Sequence, residues 1–151
     1  MTWGNPPKFN SAPPIVTGKK ITPEQLAKSG SEHGEQAALF CWAADNVEQY
    51  PQLKWLFAVP NGFYGDSGQK GKMKAEGLRS GVPDVVLPWP IAIRNYELHG
   101  CFIEMKIKGG KVSSEQKEWL DYLTKAGYYC KVCYSWQEAR DTLIAYLEGK
   151  V

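Results

Sequence analysis

The chain has 151 residues, 43% hydrophobic and 13% aromatic, which is enough for one domain with a sizeable core and too few for two comfortable ones. A net charge of only +2 excludes a global basic field, so a nucleic-acid partner has to be argued from local clusters. The longest apolar run, residues 37–44, is far too short to cross a bilayer, and the N-terminus lacks a signal peptide's hydrophobic region. A soluble, intracellular (cytoplasmic) protein with no membrane partner is expected.

Residues 1–21, with Pro6, Pro7, Pro13 and Pro14, show little hydrophobic periodicity and read as an extended arm that Trp3 and Phe9 can dock. Residues 22–151 read as a single domain. Thr22-Pro23-Glu24-Gln25 carries the N-cap, first-turn proline and N3 glutamine of a helix that Gly30 soon ends. Ser31 can cap the first substantial helix, over residues 32–47, with Ala37, Leu39, Phe40, Trp42 and Ala43 on its apolar face. Glu32 and Glu35 stand in its first turns, where the helix dipole favours carboxylates whether or not they serve a site.

Residues 55–59 are strand-like, and Pro60-Asn61-Gly62 turns them. Residues 62–81 then interleave six glycines with Lys70, Lys72, Lys74 and Arg79. This reads as a mobile basic loop, for which a polyanion backbone is the natural partner. The apolar run Val85-Val86-Leu87 is a strand stopped by Pro88-Trp89-Pro90, with Asp84 at its entrance. Residues 91–100 are a loop or hairpin excursion.

Cys101-Phe102-Ile103-Glu104-Met105-Lys106-Ile107 is a second strand. Its alternation assigns Cys101, Ile103, Met105 and Ile107 to one buried face and sets Glu104 and Lys106 side by side on the other. Taken alone, the last two also read as an ion pair on an exposed sheet face. Lys108-Gly109-Gly110-Lys111 makes a further basic turn. Ser113-Ser114-Glu115-Gln116 opens a helix with a capping box and a Trp119, Leu120, Leu123 stripe. Gln116 has two readings: it reaches back to the Ser113 amide as an N3 residue, or it overhangs the strand end that carries the acids. A strand over residues 128–134 and a helix opened by Ser135-Trp136-Gln137-Glu138 complete an α/β domain, a small mixed sheet flanked by helices. Cys130 and Cys133 fall on opposite faces of their strand, so no zinc is expected and the four cysteines read as free thiols in a reducing compartment.

Two carboxylates converging at strand ends repel each other unless a cation lies between them, and oxygen ligands suit magnesium. Asp84, Glu104 and the backbone carbonyl of Met105 are three candidate ligands, with Glu32 or Glu35 adding a fourth oxygen. Such an ion makes phosphodiester hydrolysis feasible, and Lys106 can orient the attacking water or stabilise charge on the phosphate.

Asp84 followed by Glu104-x-Lys106 resembles the PD-(D/E)xK nucleases. The fuller string is similar to their virus-type replication-repair nuclease branch, VRR-Nuc: Pro60-Asn61-Gly62, Gly77-x-x-x-Gly81-Val82-Pro83-Asp84, Gly100-x-Phe102-Ile103-Glu104-Met105-Lys106, and Ser114-x-Gln116-x-x-Trp119-x-x-x-Leu123-x-x-x-Gly127-Tyr128. That resemblance, over about residues 32–147, implies a restriction-endonuclease-like core with Asp84 and Glu104 as metal ligands and Lys106 as catalytic lysine. It further implies Gln116 as active-site glutamine and a first-helix glutamate best matched by Glu32. Mg²⁺ or Mn²⁺, a branched or structured DNA such as a Holliday junction or flap, and a phage-type homodimer follow as expectations. Lys70, Lys72, Lys74, Arg79, Lys108 and Lys111 are expected to contact DNA. The alternative is a non-catalytic DNA-binding module of a phage replication or packaging assembly. A base-reading restriction enzyme fits less well, since no element aligns Arg, Asn and Gln for base edges.

Overall fold

The computed structural model describes residues 20–60 and 67–151. The expected arm lies outside the described residues except for its last two positions, and so do Asn61 and Gly62 of the expected turn. Helix α1, Pro23–Ala27, starts on the Thr22 and Gln25 capping box, and Gly30 at φ 65° closes the segment after it. Helix α2, Glu32–Asp45, is capped by Ser31 and ends two residues before the expected Val47.

Strand expectations for residues 55–59 need correcting. A 3-10 helix, Pro51–Trp55, occupies their start, and only a two-residue strand, β1 (Phe57–Ala58), follows. The expected basic loop holds a helix, α3, Ser67–Ala75. Two of its nine residues are glycine, each of which costs a helix about 1 kcal/mol relative to alanine, so local propensity hides it. Strands β2 (Val85–Leu87), β3 (Ile91–Ile93), β4 (Tyr96–Leu98) and β5 (Cys101–Met105) follow, with β3 and β4 as the hairpin excursion. The expected strand to Ile107 stops at Met105, and Ile107 is exposed rather than buried. Helix α4, Ser114–Lys125, strand β6, Tyr129–Cys133, and helix α5, Trp136–Leu147, complete the chain.

The main sheet has the order β1-β2-β5-β6. The first two pairings are antiparallel, while β5 and β6 run parallel, so the sheet is mixed as the sequence predicts. Parallel neighbours need a crossover, and α4 supplies it. One face carries the core: Val85, Leu87, Cys101, Ile103, Met105 and Cys133 meet Leu39 of α2 and Trp136, Ala139, Leu143 and Tyr146 of α5. The Tyr146 hydroxyl, buried with them, donates to the Trp89 carbonyl at 2.6 Å. Helix α4 covers the other face of β6, beside Cys130 and Val132. The thiols of Cys130 and Cys133 therefore sit on opposite faces, Cys133 against Thr142 of α5.

Candidate active site

Antiparallel register brings the two acids together. Val85 pairs with Ile103, so one further step sets Asp84 across from Glu104 on the same sheet face. Asp84 closes the corner with its side chain, accepting the Met105 N–H at 2.8 Å, while its own carbonyl accepts from Val59 at 2.8 Å. A strand residue's N–H and C=O point to the same side. The Met105 carbonyl is therefore directed toward Asp84 as well, and the next amide, Lys106, turns the other way to the Cys133 carbonyl at 2.8 Å.

Glu104 and Lys106 are not an exposed pair. Glu104 is 0% and Lys106 6% exposed, and the Lys106 ammonium donates to Glu104 Oε1 at 2.8 Å. Gln116 Nε2 donates to the same oxygen. Glu104 Oε2 is buried with no hydrogen-bond partner. Burial is the largest cause that pushes the Glu104 carboxyl up, to about 7; the Lys106 hydrogen bond pulls it down, and the Asp84 charge adds to the rise. Burial also works against the Lys106 ammonium, yet the Glu104 hydrogen bond and the charges of Glu104, Glu32 and Asp84 raise its pKa overall.

The two first-helix acids separate. Glu32 Oε1 stands 3.5 Å from the Lys106 ammonium. Glu35 Oε2 instead accepts the Trp136 N–H at 2.6 Å, satisfying an orphan amide at the start of α5. Helix α2 thus faces the site with Glu32 and braces α5 with Glu35. The sequence gives no signal for that brace, because an acidic first turn carries no sign of which helix it will meet.

Both readings of Gln116 hold at once. Its Oε1 accepts the Ser113 N–H at 2.9 Å as the capping box requires, and its Nε2 is left for Glu104. The approach to Asp84 is held against the same helix turn. The Trp119 indole donates to the Ser80 carbonyl at 3.0 Å, and a Cβ on Gly81 would come within 2.7 Å of the Glu115 backbone. Gly81 has φ 83°, so both its conformation and its contact exclude a side chain. Neither contact is among the sequence expectations, although the Gly81 and Trp119 positions belong to the quoted motif.

Of the basic residues, Lys72, Lys74, Arg79, Lys108 and Lys111 are exposed. Lys70 lies in α3, its side chain outside what is described. Arg79 adjoins the Ser80 that Trp119 holds, and Gly110 packs near the Lys106 side chain, so both basic segments border the site.

Among the described residues, no three His, Cys, Asp or Glu side chains gather in a way that could by itself hold a metal. A cation here would need Asp84, Glu104, the Met105 carbonyl and water. The fit rests on Glu104: Lys106 holds Oε1, while the buried Oε2 has no hydrogen-bond partner, and an all-oxygen donor set suits a hard divalent ion.

Comparison with known proteins bears on the fold. Residues 66–137 match the family model of the VRR-NUC domain. A solved structure described as a VRR_NUC domain protein superposes with a TM-score of 0.62 at 22% identity, covering 78% of this chain and 88% of its own. None of the curated proteins matches. Asp84, Glu104, Lys106 and Gln116 fall inside the matched segment; Glu32 and Glu35 precede it.

Proposed function

We propose that this chain, which carries a VRR-NUC domain and hence a nuclease-type domain, is a metal-dependent endonuclease that hydrolyses phosphodiester bonds of branched or structured DNA. The observation that carries the reading is the buried Glu104, saturated at one oxygen by Lys106 and Gln116 and unpartnered at the other, across the sheet register from Asp84.

In this reading Asp84, Glu104 and the Met105 carbonyl hold Mg²⁺ or Mn²⁺. When bound, such an ion lowers the pKa of water and polarises a phosphoryl oxygen. Lys106 keeps an ammonium at the site by virtue of three surrounding carboxylates, and orients the nucleophilic water or offsets charge growing on the phosphate. Glu32 restrains that ammonium from the side of α2. Gln116 holds Glu104 in place. Lys72, Lys74, Arg79, Lys108 and Lys111, exposed around the site, bind the DNA backbone. A homodimer would present two such sites to two strands, and light scattering at micromolar concentration should then give twice 16.9 kDa.

Incubating a labelled four-way junction, a flap and plain duplex with protein and Mg²⁺ or Mn²⁺ tests the activity. Cleavage of the branched substrates by wild type and none by Asp84→Ala is the expected result. Equal absence of cleavage by both proteins on all three would overturn it. Salt-sensitive DNA binding without a divalent site in calorimetry would instead favour the non-catalytic module.

A further inference from the structure

An amide side chain is nearly symmetric in shape, so something must decide which end of Gln116 meets Glu104. Ser113 contributes two separate atoms to the start of α4. Its Oγ accepts the Gln116 N–H at 3.2 Å and its N–H donates to Gln116 Oε1 at 2.9 Å. The hydroxyl fixes the first helical turn, and the main-chain N–H acts on the side-chain amide alone.

A backbone N–H can only donate. The oxygen end of Gln116 must therefore face Ser113, and the NH₂ end is left for Glu104 Oε1, where the Lys106 ammonium also donates. Two donors then converge on one oxygen of a fully buried carboxylate while Oε2 stays unpartnered. With the amide reversed, a carbonyl oxygen would press against that carboxylate and Lys106 alone would hold Oε1.

We propose that Ser113 is a positioning residue of the site: its backbone N–H sets the orientation of the Gln116 amide, so that Gln116 joins Lys106 in holding Glu104 Oε1 and Oε2 is left free to bind a cation. The consequence for catalysis rests on the nuclease reading; the consequence for amide orientation does not. Partners that orient a metal ligand typically change affinity or activity by about 10–100-fold when removed.

Proline offers a way to delete the N–H. Ser113 has φ −71° and ψ 168°, within the range of a proline ring, so Ser113→Pro removes the donor without forcing the backbone. Ser113→Ala removes only the hydroxyl, and Ser113→Asp keeps both the N–H and a capping oxygen. The full chain of each variant is titrated with Mn²⁺ by calorimetry, and the Gln116 side-chain amide is followed by NMR.

Wild type, Ser113→Ala and Ser113→Asp should bind Mn²⁺ alike and show the Gln116 amide protons at the same shifts. Ser113→Pro should bind about 10–100-fold more weakly and move those signals toward the positions of a solvent-exposed glutamine amide. If Ser113→Pro matches Ser113→Ala in both measurements, the inference is wrong. Should the proline variant not fold, Gln116→Met takes its place by removing the donor to Glu104, and undiminished Mn²⁺ affinity there refutes the claim equally. A wild type that neither binds Mn²⁺ nor cuts DNA defeats the nuclease reading instead, and the amide signals of Ser113→Ala and Ser113→Pro still decide the orientation.

Discussion

Helices α1 and α4 open on the same local device. In α1, Thr22 N–H donates to Gln25 Oε1 at 2.9 Å and Gln25 N–H to Thr22 Oγ1 at 3.3 Å; in α4 the corresponding distances, Ser113 with Gln116, are 2.9 and 3.2 Å. Gln25 is exposed and has finished its task once the helix has started. Gln116 has the same task and, with the remaining end of its amide, holds a buried carboxylate. A third start, at α5, differs again. Ser135 caps the Glu138 amide, but Glu138 passes over the N-cap N–H and accepts from Tyr134 instead, while Glu35 of α2 takes the Trp136 amide. One motif therefore serves three ends, and what lies next to its N3 side chain decides which.

The comparison can be broken most decisively at the carboxylates that Gln116 serves. Asp84→Ala and Glu104→Ala should reduce cleavage to background in the labelled-junction assay. They should also abolish the stabilisation that Mg²⁺ confers on wild type, about 2.7 kcal/mol at a hundredfold excess over Kd, read as a shift in melting midpoint. An unchanged Mg²⁺ shift in Glu104→Ala would detach Gln116 from any metal site.

Next in size comes the direct contrast of the two glutamines. Gln116→Ala should lower cleavage by about 10–100-fold, whereas Gln25→Ala leaves it at the wild-type rate. Equal losses from both would mean that helix starts matter only for folding, and the distinction would collapse.

Two glycines extend the same contrast. Gly30 and Gly81 both have positive φ, 65° and 83°, but nothing lies within 4 Å of a Cβ on Gly30, while Gly81 is pressed against Glu115. Gly30→Ala should cost only the backbone term, about 1–2 kcal/mol in denaturant titration. Gly81→Ala should cost more and reduce cleavage too, because the segment it displaces ends at Asp84. Comparable stability losses would show that α4 yields at this contact.

The smallest effect separates the caps themselves. Ser113→Ala should lower stability by about 1 kcal/mol, and Thr22→Ala by no more than that, since α1 is a five-residue helix with no buried residue. Neither should alter cleavage by the folded protein.

Much of this arrangement is legible in the amino-acid sequence. Strand alternation and motif order single out Asp84, Glu104 and Lys106, and capping residues mark the helix starts at Thr22, Ser31, Ser113 and Ser135. Helix α3 is not legible, because Gly68 and Gly71 erase its propensity and Met73 is the one large apolar residue in its sequence. Residues 55–59 mislead for a related reason: an aromatic and aliphatic run looks the same whether it enters a 3-10 turn or a strand. The end of β5 at Met105, rather than Ile107, reflects the Lys108-Gly109-Gly110 turn, which draws the chain away from β6.

By itself the sequence determined what is local. Caps, strand alternation and the identities of the acid and base pairs arise from interactions within a few residues, where covalent geometry leaves few alternatives. Tertiary structure decided the rest. Glu32 went to Lys106 and Glu35 to an amide 101 positions away; Gln116 met Glu104 across 12. Those outcomes depend on how two helices settle on a mixed sheet, and a shift of one helical turn would exchange them. The burial that leaves Glu104 Oε2 without a partner is likewise a property of the packed whole, since no neighbour in the chain can remove water from it.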